Sequence, residues 1–137
     1  LVAGSKGKIG ASILAAKAAF RTGSGLVTCL IPEEERGALA AAVPEAMCVF
    51  GDQQEFSSYD AIGIGPGLGL SQGELLKKIL GATGKPVVLD ADALNLIAAV
   101  EGEAINPLEP FTDQIWIVWG SRDASRNLPV KHGLHRQ

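Results

Sequence analysis

Short apolar runs alternate with helix-forming runs along most of this chain. "LVAG" reads as a strand end. "GLVTCLI", "AMCVF", "YDAIGIG" and "KPVVLD" read as strands, and "IWIVWG" as a last one. Between them, Ala11 to Thr22 is alanine-rich and stops at Gly23, a glycine placed to end a helix. Glu33 to Ala42 follows Pro32 and has three acids in its first turn, which suits the helix dipole. Ser71 and Glu74 have capping-box spacing at the head of a helix to Leu80, and Asp92 to Val100 is a further helical run. Strands separated by helices are joined by crossovers, and crossovers make parallel sheet. The strand runs are continuously apolar, as both-face burial requires. The expected fold class is α/β, a parallel sheet with helices on both faces.

Bulk properties narrow the function. At 137 residues the chain is one small domain or part of a larger one. Its hydrophobic content of 47% and charged content of 20% are globular. A net charge of −3 offers no basic surface for nucleic acid or an anionic membrane. No apolar run reaches membrane-spanning length. Cys29 and Cys48 each lie inside an apolar run and read as buried core thiols in a reducing compartment, with a disulfide between them the less favoured alternative. Two cysteines do not make a closed metal site, and His132 and His135 belong to a polar tail, so no metal site is expected. The chain begins at Leu1 with a strand already running, which reads as a fragment. After Val100 the periodicity fades.

Three loops follow strand ends, where ligands gather in parallel α/β sheets. The Gly4–Gly10 loop has three glycines and two lysines, Lys6 and Lys8, but matches neither the P-loop nor the G-x-G-x-x-G spacing. Ala11 begins the following helix, where a small residue leaves the helix N-terminus open to an anion or a ring. In the second loop, Gly65, Pro66 and Gly67 combine a fixed backbone angle with freedom for positive φ. With no Cβ at Gly67, a flat ring or sugar has room against the backbone. In the third, "LDADALN", Asp90 ends a strand and is placed to orient a polar ligand or a water-bound Mg²⁺. Asp92 reads as a helix N-cap, and Asn95 lies one turn into the helix, within reach of a ligand amide. Each motif alone also fits an ordinary turn, cap or surface.

Together, "GSKGKIGASILAAKAAFRTGSGLVT", "VPEAM", "YDAIGIGPGLG" and "PVVLDADALN" resemble the N-terminal part of the ADP- or ATP-dependent NAD(P)H-hydrate dehydratases, over roughly residues 1 to 100. The resemblance implies an incomplete ribokinase-like fold. It implies a cytoplasmic repair lyase that dehydrates hydrated NADH or NADPH at the expense of ADP or ATP, with Mg²⁺. A kinase-like transfer turns the poor hydroxyl leaving group into a phosphate, which departs. Carried over residue by residue, Ala11, Gly67, Asp90 and Asn95 are the implied substrate-binding positions. No catalytic or donor-binding residue is assigned. The resemblance also implies an NAD(P)H-hydrate epimerase, fused or partnered, and the open strand edge that half a sheet leaves points to a homo-oligomer.

The departures are local. Where the family has a histidine-bearing "TPHPGE"-like stretch, this chain has "INPLEPF" with Leu108 and Glu109. No G-x-G-D segment occurs in the 137 residues. The expected organisation is therefore a substrate-side part over residues 1–103 and a divergent, loosely ordered tail over residues 104–137. Two other readings remain open at this point: another ribokinase-like small-molecule kinase, and a non-catalytic dinucleotide-binding domain.

Overall fold

A computed structural model describes residues 1–51, 54–82 and 84–100, and the backbone of Ile115–Ile117. The described elements run α1 (Ile9–Arg21), β1 (Thr28–Leu30), a 3₁₀ turn (Glu33–Glu35), α2 (Arg36–Ala42), β2 (Met47–Val49), a 3₁₀ turn (Phe56–Ser58), β3 (Ile62–Ile64), α3 (Gly73–Ala82), β4 (Val87–Leu89), α4 (Asp92–Val100) and β5 (Ile115–Ile117). The organisation expected for residues 104–137 lies outside the described residues, apart from β5.

All the strand pairs are parallel: β1 with β2, β3 with β4, and β4 with β5. Val2 joins the two groups, bridging Leu30 on one side and Ile64 on the other. Leu30 N–H donates to the Leu1 carbonyl at 2.8 Å, Val2 N–H to Gly63 at 2.8 Å, and Gly65 N–H back to Val2 at 3.1 Å. The order across the sheet is thus β2, β1, the Val2 segment, β3, β4, β5. All these strands run the same way, but the crossovers after the Val2 segment lead to one side, through β1 and β2, and those after β3 lead to the other, through β4 and β5. That is the topological switch point, where a crevice opens at the carboxyl ends of the strands.

Successive strand residues face opposite ways, and the core divides accordingly. Cys29 packs with Ala16 of α1 and Leu39 of α2 on one face. Its neighbour Leu30 packs on the other, with Ile64, Leu89, Ile79 of α3 and Ala93 of α4. Helices therefore cover both faces, as the apolar strand runs predicted. Leu39, Ile64, Ile79 and Leu89 are wholly buried, and each contributes about 1.5–3 kcal/mol relative to exposure.

Local sequence explains the helix ends. In α1, Ile9, Ile13, Ala16, Ala19 and Phe20 lie at helical spacing on the face turned to the core. The helix closes with Gly23 N–H on Phe20 and Ser24 N–H on Ala19, at φ +100° for Gly23. That pair of bonds is a Schellman closure, and the positive φ suits glycine. Several boundaries differ from expectation. α1 begins at Ile9, not Ala11, so Ala11 is its third residue, and it ends at Arg21, one residue before Thr22; α3 runs past Leu80 to Ala82. Glu33–Glu35 winds as 3₁₀ before α2 begins. The capping box is out of register too: Leu76 N–H bonds the Gln72 carbonyl, so Gln72 flanks α3 and Ser71 lies one residue outside. Glu74 instead pairs with Lys77 at 3.0 Å on the exposed face.

Candidate functional site

Backbone and side-chain bonds fasten the three strand-end loops together. Gly4 N–H donates to the Pro66 carbonyl at 2.8 Å, and Ser5 Oγ donates to the Gly67 carbonyl at 2.8 Å. Gly69 N–H donates to Asp92 Oδ2 at 2.8 Å. Gly7 N–H is held by Glu35 Oε1 at 2.8 Å, tying the first loop to the turn before α2. The shared edge inferred from three weak motifs is therefore real.

Two glycines make the approach possible. A Cβ on Gly65, at φ +128°, would lie 1.8 Å from the Asp90 carbonyl oxygen. A Cβ on Gly67, at φ +64°, would lie 2.8 Å from Ala11 Cβ and 3.1 Å from the Lys8 carbonyl. This corrects the sequence argument for Gly67. The space beside its α-carbon is filled by the start of α1, so its missing side chain admits a helix rather than a ring. Ala11 and Gly67, two of the implied substrate positions, touch each other.

Asp90 and Asp92 divide their work differently from expectation. Asp90 N–H continues the sheet to the Ile64 carbonyl at 3.1 Å, and its Oδ1 accepts the Ala91 N–H at 2.8 Å. Asn95 N–H bonds the Ala91 carbonyl at 3.2 Å, so Ala91, not Asp92, flanks the helix. Asp92 is the first residue of α4 and reaches across to the second loop. Between the two acids, Ala91 has φ +44°, the one non-glycine described with positive φ. Strain of this kind costs roughly 1–3 kcal/mol and tends to be held at functional sites. Asn95 is half-buried in the first turn of α4.

A cavity of about 430 Å³ opens beside the switch point, lined by Gly4, Ser5, Ile31, Pro32, Gly51, Leu68 and Gln72, among others. Its size suits a small organic ligand. Ala11, Gly67, Asp90 and Asn95 are not in its lining. Gly4, Ser5 and Leu68 connect it to the loops that hold them. Sequence reasoning did not single out Ser5 or Glu35; a hydroxyl between Gly4 and Lys6 was the available signal for Ser5. Among the described residues, no three His, Cys, Asp or Glu side chains come together as a metal site. Burial pushes the Cys29 thiol above its usual range.

A parallel sheet with this switch point, helices on both faces and three fused strand-end loops defines a doubly wound α/β domain, and its solved neighbours place it in the ribokinase-like group. A ribokinase-like superfamily protein of Enterococcus faecalis superposes with a TM-score of 0.69 at 26% identity, over 85% of this chain and 43% of that one. An ADP/ATP-dependent NAD(P)H-hydrate dehydratase from Bacillus subtilis, co-crystallised with ATP and Mg²⁺ and soaked with CoA, superposes with a TM-score of 0.61 at 31% identity, over 68% of this chain and 37% of that one. The family model for NAD(P)H-hydrate dehydratase matches residues 1–109, and the chain belongs to that family.

Among curated relatives, the ADP-dependent (S)-NAD(P)H-hydrate dehydratase of Listeria monocytogenes is 34% identical over 123 residues, which cover 82% of this chain and 43% of that protein. The bifunctional NAD(P)H-hydrate repair enzyme of Moorella thermoacetica is 35% identical over 114 residues, covering 71% of this chain and 22% of that protein. The chain thus spans less than half the length of these relatives.

Proposed function

We propose that this chain supplies the substrate side of a nucleotide-dependent NAD(P)H-hydrate dehydratase, a hydro-lyase that repairs hydrated NADH and NADPH. The observation that carries the reading is the fastening of the Gly4, Gly65 and Asp90 loops on one strand-end edge, in a chain whose residues 1–109 match the family. Ala11, Gly67, Asp90 and Asn95 surround the dinucleotide in this reading. Ala11 and Gly67 set the floor by their mutual contact, and Asp90 and Asn95 offer polar groups at the head of α4. ADP or ATP is the phosphate donor and travels with Mg²⁺, as the ATP/Mg²⁺ co-crystal of the Bacillus relative supports. In this reading the divergent part lies past the family match, beyond residue 109.

The setting is cytoplasmic in this reading; no helix among the described residues is long and apolar enough to cross a membrane. Self-association into a homo-oligomer fits the unpaired outer edge of β2 among the described strands. The bifunctional relatives support linkage to a second repair activity, which the resemblance assigns to an NAD(P)H-hydrate epimerase.

The test pairs a binding titration of hydrated NADH with a coupled turnover assay in ADP and in ATP, both on the purified 137-residue chain. Saturable binding with little turnover is expected, because phosphoryl transfer needs a positioned donor and stabilised charge. Robust nucleotide-dependent turnover would overturn the substrate-side restriction. Failure to bind hydrated NADH, by a chain shown to be folded, would overturn the reading itself.

A further inference from the structure

Cys29 and Cys48 are register partners on the adjoining parallel strands β1 and β2. Neighbouring strands run about 4.8 Å apart, inside the Cα window of roughly 4.4–6.8 Å that a disulfide spans, and bringing the Cβ atoms within the required distance of about 4.5 Å asks the two strands to close by a few tenths of an ångström. Both side chains belong to the cluster under α1 and α2, so they leave the sheet on the same face. Both thiols are free. Their surroundings differ: Cys29 is wholly buried, whereas Cys48 is only partly so. Ser12 of α1 adds a second observation. It is the one buried polar residue of the described core, and its Oγ has no hydrogen-bond partner there. That hydroxyl is near enough to Cys29 to favour its thiolate slightly, but it is not aligned as a full hydrogen bond.

We propose that Cys29 and Cys48 form an intramolecular redox pair, closed to a disulfide by hydroperoxides, with Cys48 as the entry thiol and Cys29 as the resolving thiol. The Cys48 thiolate attacks one peroxide oxygen; an S–O bond forms, the O–O bond breaks, and an alcohol or water leaves with the proton. Cys29 then gives up its proton and attacks the Cys48 sulfur. The S–S bond forms, the S–O bond breaks, and the hydroxyl leaves as water with the Cys29 proton. The two sulfurs together lose two electrons, and the peroxide gains them. Cys29 needs no contact with solvent for this, because its reaction partner is its neighbour in the sheet. The unpartnered Ser12 hydroxyl is placed to donate to the Cys29 thiolate as it forms. The new bond would staple β1 to β2 just before Ile31 and Gly51, two residues of the cavity wall.

The test oxidises the 137-residue chain with hydrogen peroxide, then alkylates it after denaturation without reductant. The expected product is a monomer lighter by two hydrogens, with neither cysteine alkylated, a linked peptide joining Cys29 and Cys48, and full recovery with dithiothreitol. In Cys29→Ala, Cys48 should accumulate as a sulfenic acid trapped by dimedone. Two alkylated thiols after peroxide, a disulfide found only between chains, or Cys48 driven to sulfinic acid without linkage would each overturn the proposal. The wild-type measurement decides alone should the variant fail to fold.

Discussion

Gly65 lies against the Asp90 carbonyl so closely that a single added carbon would sit 1.8 Å from that oxygen. The Asp90 N–H bonds the Ile64 carbonyl one residue earlier, so the sheet carries the second loop directly onto the third. Gly65→Ala should be severely destabilising. The clash is with backbone, which cannot rotate away, and φ +128° is a conformation that alanine rarely adopts. A loss of more than about 3 kcal/mol is expected. Urea denaturation measures it; a loss below about 1 kcal/mol would show that the two loops separate easily.

The contact between Ala11 and Gly67 predicts a coupled pair. Gly67→Ala should cost about 1–3 kcal/mol through its positive φ and the contact with Ala11. Ala11→Gly alone should cost about 1 kcal/mol in helix propensity. In the double variant part of the first cost should return, because the Ala11 methyl is gone. A double-mutant cycle with no coupling energy would mean that the strain lies in φ and against the Lys8 carbonyl, not against Ala11. Measuring dinucleotide affinity on the same four proteins separates packing from binding.

Asp92→Ala should loosen the second loop. It removes the carboxylate that accepts the Gly69 N–H at 2.8 Å, a charge-assisted bond of about 1.5–3 kcal/mol before exposure discounts it. Partial exposure of Asp92 puts the expected loss nearer 1 kcal/mol. Amide exchange at Gly69 should accelerate with little change at Val87–Leu89. Unchanged protection at Gly69 would remove Asp92 from the site's framework.

The Cys29 thiol gives a pH dependence with a definite sign. Burial raises its folded-state value above the ordinary 9.0. Below 9.0 both folded and unfolded chains hold the proton, and stability is unaffected. Above it the unfolded chain ionises first, so stability falls until the folded thiol titrates. Thermal midpoints of wild type and Cys29→Ala, measured from neutrality into this alkaline window, should converge in slope below 9.0 and separate above it. Parallel curves throughout would show that Cys29 is not shielded.

Much of the fold was legible because strand and helix signals are local. The apolar runs at "TCL", "IGI" and "VVL" became β1, β3 and β4, and Asp92–Val100 became α4 to the residue. Pairings were not legible. Val2 gains its place at the centre of the sheet from partners far along the chain, and no local pattern announces that. The site was legible to the same degree. The three loops could be put on one edge, since strand ends in parallel sheet share an edge. The contact that closes the space beside Gly67 depends on the approach of α1, which spacing in sequence does not encode. Asp92 looked like a cap because its position in the sequence suits one; only the nearby Gly69 N–H reveals its other use.

The Val2 bridge also bears on how the chain acquires its shape. Of the strand segments described, the earliest synthesised is the one that must sit innermost, with a later strand on each side. Its pairing with Leu30 closes one loop, and its pairing with Ile64 closes a much longer one. High contact order of this kind slows folding, since closure entropy is lost before the contacts compensate for it. On a translating ribosome, the segment carrying the first glycine loop would wait with both edges unpaired until β1 and then β3 emerged. The edge that joins the three loops is therefore built around the earliest of the described strand segments and closes only once β3 and β4 have followed it.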